Sequence, residues 1–238
     1  VIDDFLLALG TLSRIKVPRI NRINYQKSTL YFPVVGYLAG IILFFSDQLL
    51  ILVFSETISK LIALLIYYML FGFFHFDGLL DCIDGFFPSH KSKADRLRIM
   101  KDSNTGAFAL LFGVLFLTVE IYCVVNSTEY WYFFPVFGRI SPLFLLSFSK
   151  PAANNGLGML YFPYPKYYSV SSIILTIPIF FHSPLVYFWL LGVIIVSFMI
   201  IKISNAKIEG ITGDVLGLSI MLSELSYLIY LNTKLFFK

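Results

Sequence analysis

Residues 58–85 read ISKLIALLIYYMLFGFFHFDGLLDCIDG. The run from Ile58 to Phe76 suffices to cross a bilayer, which takes about 20 mostly apolar residues. It passes without a break into His75-Phe76-Asp77-Gly78-Leu79-Leu80-Asp81-Cys82-Ile83-Asp84-Gly85. Asp77, Asp81 and Asp84 fall at i, i+4 and i+7, so a helix gathers all three on one narrow face. Like charges at such spacings repel by about 0.2–0.5 kcal/mol per pair, and an ionised carboxylate near lipid costs roughly 2.5 kcal/mol or more. A cation should offset that cost. Hard divalent ions take carboxylate oxygens, and Mg2+ is held by one or two carboxylates while substrate phosphates complete its shell. The alternative is a solvated acidic turn just past a membrane helix.

The composition agrees with the apolar run. Of 238 residues, 58% are hydrophobic and 13% charged, against about a quarter charged in soluble domains. The expected fold class is all-α, a polytopic membrane bundle in a single domain over residues 1–238. Spans are expected near Pro33 to Phe54, Ile58 to Phe76, Ala107 to Val125, Tyr130 to Phe148, Ser169 to Phe181, Pro184 to Ile203 and Val215 to Phe236. The fifth is short and carries Pro178, which gives six or seven transmembrane helices. Val1 to Ser13 has helical apolar spacing but is too short to span, and is expected as an interfacial helix. Cys82 and Cys123 give neither a disulfide framework nor a zinc spacing, and His75, His90 and His182 are scattered, so no histidine metal cluster is expected.

Basic residues set the orientation. Arg14 to Lys27 holds Arg14, Lys16, Arg19, Arg22 and Lys27 without an acid. Threading seven spans from a cytoplasmic start leaves Lys60, Lys234 and Lys238 outside and puts every other loop Lys and Arg inside. The acidic stretch, Lys101-Asp102, the Lys150 loop and Gly210 to Asp214 then share the cytoplasmic side. Basic residues around Lys101 beside an acidic site suit a polyphosphate, and Ser103-Asn104-Thr105-Gly106 reads as a helix entry. Arg139 lies near the middle of the fourth span and Glu120 in the outer half of the third. An ion pair between them is the structural alternative to a phosphate contact by Arg139. The last span opens with Gly210 to Gly217, which carries Asp214, and holds Glu224 in its interior.

Together these stretches resemble the cobalamin synthase family, the adenosylcobinamide-GDP ribazoletransferases. The similar pieces are Leu7 to Pro18, Tyr31 to Gly36, His75 to Gly85, Ile99 to Ser103, Gly138-Arg139, Gly210 to Asp214 and Leu222 to Glu224. Lys150 to Gly158 departs from the family pattern, and no role is carried over to it. The resemblance implies a multi-pass cell-membrane enzyme, with its site facing the cytoplasm, that joins alpha-ribazole or its 5′-phosphate to adenosylcobinamide-GDP and releases GMP. It implies Mg2+ as cofactor, with Asp77, Asp81, Asp84 and Asp102 as metal ligands and catalytic residues, one of them a base. His75, Lys101, Ser103, Arg139, Asp214 and Glu224 are expected at the substrate. Membrane lipid is an expected partner, nucleic acid is not, and a homo-oligomer is compatible with the reading.

Three rivals share some of these features. A CDP-alcohol phosphotransferase pattern is broken at Asp81-Cys82, and a prenyltransferase would bring a second aspartate-rich motif. A transporter would use buried acids along an ion path, but no repeat is visible and the acids cluster on one side.

Overall fold

A computed structural model describes residues 1–127, 130–180 and 186–233. In order the helices are α1 (Ile2–Leu12), α2 (Tyr25–Leu50), α3 (Glu56–Phe86), α4 (Lys93–Ile99), α5 (Ala107–Asn126), α6 (Trp131–Phe148), α7 (Tyr167–Ile174), α8 (Ile177–Phe180), α9 (Val186–Ile208) and α10 (Gly213–Leu231). No strand occurs among the described residues, and Pro151 and Ile211 form an isolated parallel bridge. The chain is an all-α membrane bundle: α2, α3, α5, α6, α9 and α10 are each long and apolar enough to cross a bilayer.

Local chemistry sets the helix starts. The Asn24 side chain accepts the Lys27 amide at 2.8 Å and opens α2 a full eight residues before the apolar run begins at Pro33. Thr212 caps α10 by accepting the Val215 amide at 3.3 Å. The apolar run of α3 and the acidic stretch form one helix, interrupted by a π-helical turn over Tyr68–Gly72. There the Arg14 amide donates to the Leu70 carbonyl at 2.7 Å, satisfying a group on the widened turn.

Burial sorts the helices into core and rim. In α6 and α10, 78% and 67% of the apolar window is buried, against 33% in α5 and 28% in α9. The outer pair therefore turns apolar side chains, such as Leu110, Leu115, Leu191 and Ile195, outward from the bundle. Two close approaches fix the centre. A Cβ on Gly36 would stand 2.6 Å from the Val136 Cα, which brings α2 onto α6, and a Cβ on Gly78 would stand 2.9 Å from the Asp214 carbonyl oxygen, which brings α3 onto α10.

The weak fifth span is α7 with α8, which together are too short to count as a spanning helix. They run alongside α2: Ser172 Oγ donates to the Thr29 carbonyl at 3.0 Å and the Tyr37 hydroxyl to the Thr176 carbonyl at 3.2 Å. Trp189 stacks on Tyr230 near the far end of α10, with ring centroids 4.9 Å apart. The Tyr164 hydroxyl lies 3.0 Å from Thr29 Oγ1 at the start of α2, so Tyr164 and Trp189 stand at opposite ends of the bundle. The expected boundaries at Phe181 and Pro184, the end of the last span at Phe236, and His182, Lys234 and Lys238 lie outside the described residues.

The N-terminal helix is tied into the bundle. It buries Leu7, Ala8, Leu9 and Leu12, Lys27 pairs with the buried Asp4 at 3.2 Å, and the Arg22 amide donates to Asp3 at 3.0 Å.

Candidate active site

The C-terminal turns of α3 carry His75, Asp77, Asp81 and Asp84 to the same end of the bundle as the start of α10. Around that end the loops close in. The Ile211 amide donates to the Lys150 carbonyl at 2.9 Å, and the Ala152 amide returns a bond to the Ile211 carbonyl at 2.9 Å. Gly158 packs so close to α10 that a Cβ there would stand 2.8 Å from the Gly213 amide nitrogen. The expected convergence of the acidic stretch, the Lys101 segment, the Lys150 loop and Gly210 to Asp214 at one end is what the fold provides.

Between these elements lies a cavity of about 580 Å3. Four of the expected residues line it: His75, Asp77, Lys101 and Asp214. Asp77 is exposed and Asp81 half-buried, and neither makes a hydrogen bond or ion pair among the described residues. Asp81 stands within electrostatic reach of Asp77, Asp84 and Asp214. Thr212 Oγ1 donates to Asp214 at 3.2 Å, holding the carboxylate in the first turn of α10.

The other expected residues take different places. Asp84 accepts the Gly106 amide at 2.6 Å and the Ala109 amide at 3.1 Å, acting as an N-terminal cap for α5. Asp102 is exposed and folds back on Asn104: the backbone and side-chain N–H groups of Asn104 hold its carboxyl below the usual carboxylate range. Ser103 is exposed on the same loop. Arg96, one of the basic residues before Lys101, is buried and donates to the Gly85 and Phe86 carbonyls at 2.8 and 3.1 Å, closing the C-terminus of α3.

Arg139 and Glu224 are fully buried and bonded to each other. The Tyr67 hydroxyl donates to both Glu224 oxygens at 2.7 and 2.8 Å and accepts from Arg139 Nη1 at 2.8 Å. Neither charged residue lines the cavity. The alternative of an Arg139 pair with Glu120 is corrected by this geometry: Glu120 accepts instead from the Tyr68 hydroxyl at 2.5 Å. The reason is packing, because α6 lies against α10 at this depth.

Two walls of the cavity come from residues to which the sequence reading gave no site role. One is Gly10, Thr11 and Leu12 at the end of α1, and the other is the loop from Ala153 to Met159 with Tyr161 behind it. Burial pushes the Tyr161 phenol up, while a hydrogen bond with Thr11 opposes that shift. A signal for the loop was present in Asn154-Asn155-Gly156-Leu157-Gly158, since Gly156 takes a left-handed φ of 93° that favours glycine.

The family model for cobalamin-5-phosphate synthase matches residues 4–232. The chain belongs to the cobalamin-5-phosphate synthase family. It is similar to the adenosylcobinamide-GDP ribazoletransferase of Kosmotoga olearia, at 39% identity covering 97% of this chain and 98% of that one. The protein of the same name from Thermosipho melanesiensis is 37% identical over 91% and 93% of the two chains. That from Clostridioides difficile is 32% identical over 98% of each. No solved structure matches.

The Mg2+ implied for a cobalamin-5-phosphate synthase can be weighed against these donors. Among the described residues no three His, Cys, Asp or Glu side chains converge tightly enough to hold a metal by themselves. Asp77 and Asp81 nonetheless have their oxygens uncommitted, with Asp214 across the α3–α10 contact. Such a donor set suits an ion that takes one or two carboxylates and completes its shell from phosphate and water.

Proposed function

We propose that this chain joins alpha-ribazole, or its 5′-phosphate, to adenosylcobinamide-GDP and releases GMP, at a site on the cytoplasmic side of the cell membrane. The observation that carries the reading is the meeting of Asp77, Lys101 and Asp214 at one cavity, in a chain whose relatives bear the ribazoletransferase name. In the reaction a ribazole hydroxyl oxygen attacks the phosphorus attached to the cobinamide. The new P–O bond forms as the bond to the GMP oxygen breaks, and GMP leaves. The hydroxyl proton passes to a carboxylate of the Asp77, Asp81 and Asp214 group.

Lys101, which also lines the cavity, supplies a mobile positive charge to the phosphates. Held by Asp77 and Asp81, with Asp214 as the neighbouring donor, Mg2+ would supply positive charge to the diphosphate oxygens. Asp84 and Asp102 support the site at one remove, by fixing the start of α5 and the turn after Lys101. The cytoplasmic assignment rests on the basic residues of Arg14 to Lys27 and Lys91 to Lys101, which lie at the cavity end and suit an anionic lipid surface.

The test uses purified protein in detergent with Mg2+, adenosylcobinamide-GDP and either alpha-ribazole or its phosphate, with GMP measured over time. GMP formation that needs both substrates is the expected result. Its absence with active-looking, folded protein would remove the reading.

A further inference from the structure

The cavity has two ends of different chemistry. Asp77, Lys101 and Asp214 mark its polar mouth, whereas Leu12, Phe32, Pro142, Leu216 and Ile220 wall the inner part. From Asp214 to Ile220 the helix rises about 9 Å, a depth suited to a two-ring aromatic group. Facing this apolar compartment is His75, only 6% exposed, whose Nε2 has no hydrogen-bond partner. An unpartnered ring nitrogen in an apolar wall calls for a hydroxyl, which can donate or accept, on whatever fills the space.

We propose that the inner compartment seats the aromatic base of the ribazole nucleoside, with a sugar hydroxyl bonded to His75 Nε2. The assignment rests on the reaction proposed above and says where one of its two substrates sits. A benzimidazole base carries hydrocarbon edges and one lone-pair nitrogen, so it loses little by leaving water. Guanine carries several N–H donors and a carbonyl, and this compartment would leave them without partners. The corrinoid is too large for about 580 Å3 and has to stay outside the mouth. There Asp77 also borders a second, shallower groove with Arg14, Phe73 and Phe74. Asp77 thus stands between a compartment for the nucleoside and an open surface for the larger partner.

The experiment fills the inner compartment and reads each substrate separately. Ile220→Phe is expected to raise KM for alpha-ribazole by roughly tenfold or more, with KM for adenosylcobinamide-GDP changed by less than about twofold; Ile220→Leu serves as the volume-conserving control. Titration calorimetry on the unmodified protein is expected to show alpha-ribazole binding that guanosine does not displace and that His75→Ala weakens. Guanosine binding as tightly as alpha-ribazole would overturn the assignment. So would an Ile220→Phe effect confined to adenosylcobinamide-GDP. Should Ile220→Phe fail to fold, the titrations decide alone. Alpha-ribazole binding without GMP release would remove the proposed reaction and leave the compartment assigned. GMP release without preference over guanosine would do the reverse.

Discussion

Arg139 of α6 and Glu224 of α10 meet with no exposed surface on either side chain, and the Tyr67 hydroxyl of α3 closes the group. Three helices that frame the cavity are thereby tied together one layer beneath it. Glu224→Gln alone leaves a guanidinium in an apolar layer, so the expected loss is about 3–5 kcal/mol. Replacing Arg139 and Glu224 together by Met and Leu should recover most of it. Thermal unfolding in detergent measures both. A double variant that is stable yet has lost turnover would instead assign the pair to substrate binding.

The aspartates of α3 should separate by effect. Asp84→Ala removes the acceptor for the Gly106 and Ala109 amides, and the expected cost is about 1 kcal/mol of stability. Asp77→Asn and Asp81→Asn remove charges that hold no hydrogen bond among the described residues, so unfolding should barely change while turnover falls roughly a hundredfold. Near-normal turnover in both would count against a metal at this face.

Gly78→Ala probes the seam between α3 and α10. The added Cβ would meet backbone, 2.9 Å from the Asp214 carbonyl oxygen and 3.0 Å from its Cα, and backbone cannot swing aside. A stability cost of about 1–3 kcal/mol is expected, together with lower turnover as Asp214 is pushed from Asp77. Unchanged turnover would show that the two carboxylates need not be close.

The side of the membrane is open to labelling. Cys82 and Cys123 are buried, so cysteines placed at Ser89 and Asn126 report against a quiet background. Ser89→Cys is expected to react from the cytoplasmic side and Asn126→Cys from the other. Reaction of Ser89→Cys with an impermeant reagent from outside alone would invert the arrangement. Glu129 lies outside the described residues.

Apolar run length made most of the bundle legible: the expected Ala107 to Val125 and Tyr130 to Phe148 match α5 and α6 within a residue. The start of α2 was less legible because its first turns are polar and held by the Asn24 cap rather than by hydrophobicity. At the site, the convergence of Asp77, Lys101 and Asp214 followed from topology. The partner of Arg139 did not, because depth along consecutive helices pointed to Glu120, while the actual contact comes from a helix far along the chain. Asp84 shows a further limit: its spacing puts it on the acidic face, and nothing in that spacing reveals that a neighbouring helix needs its oxygens.

The π-helical turn at Tyr68–Gly72 divides α3 into two independently aimed halves. An extra residue in a turn shifts the angular phase of everything after it by about 100°. The half before the turn can keep its anchoring face toward its neighbours while the half after it points His75, Asp77 and Asp81 where they stand. Removing one residue within the turn would rotate those three side chains away together, silencing the chemistry without shortening the span below what a bilayer requires.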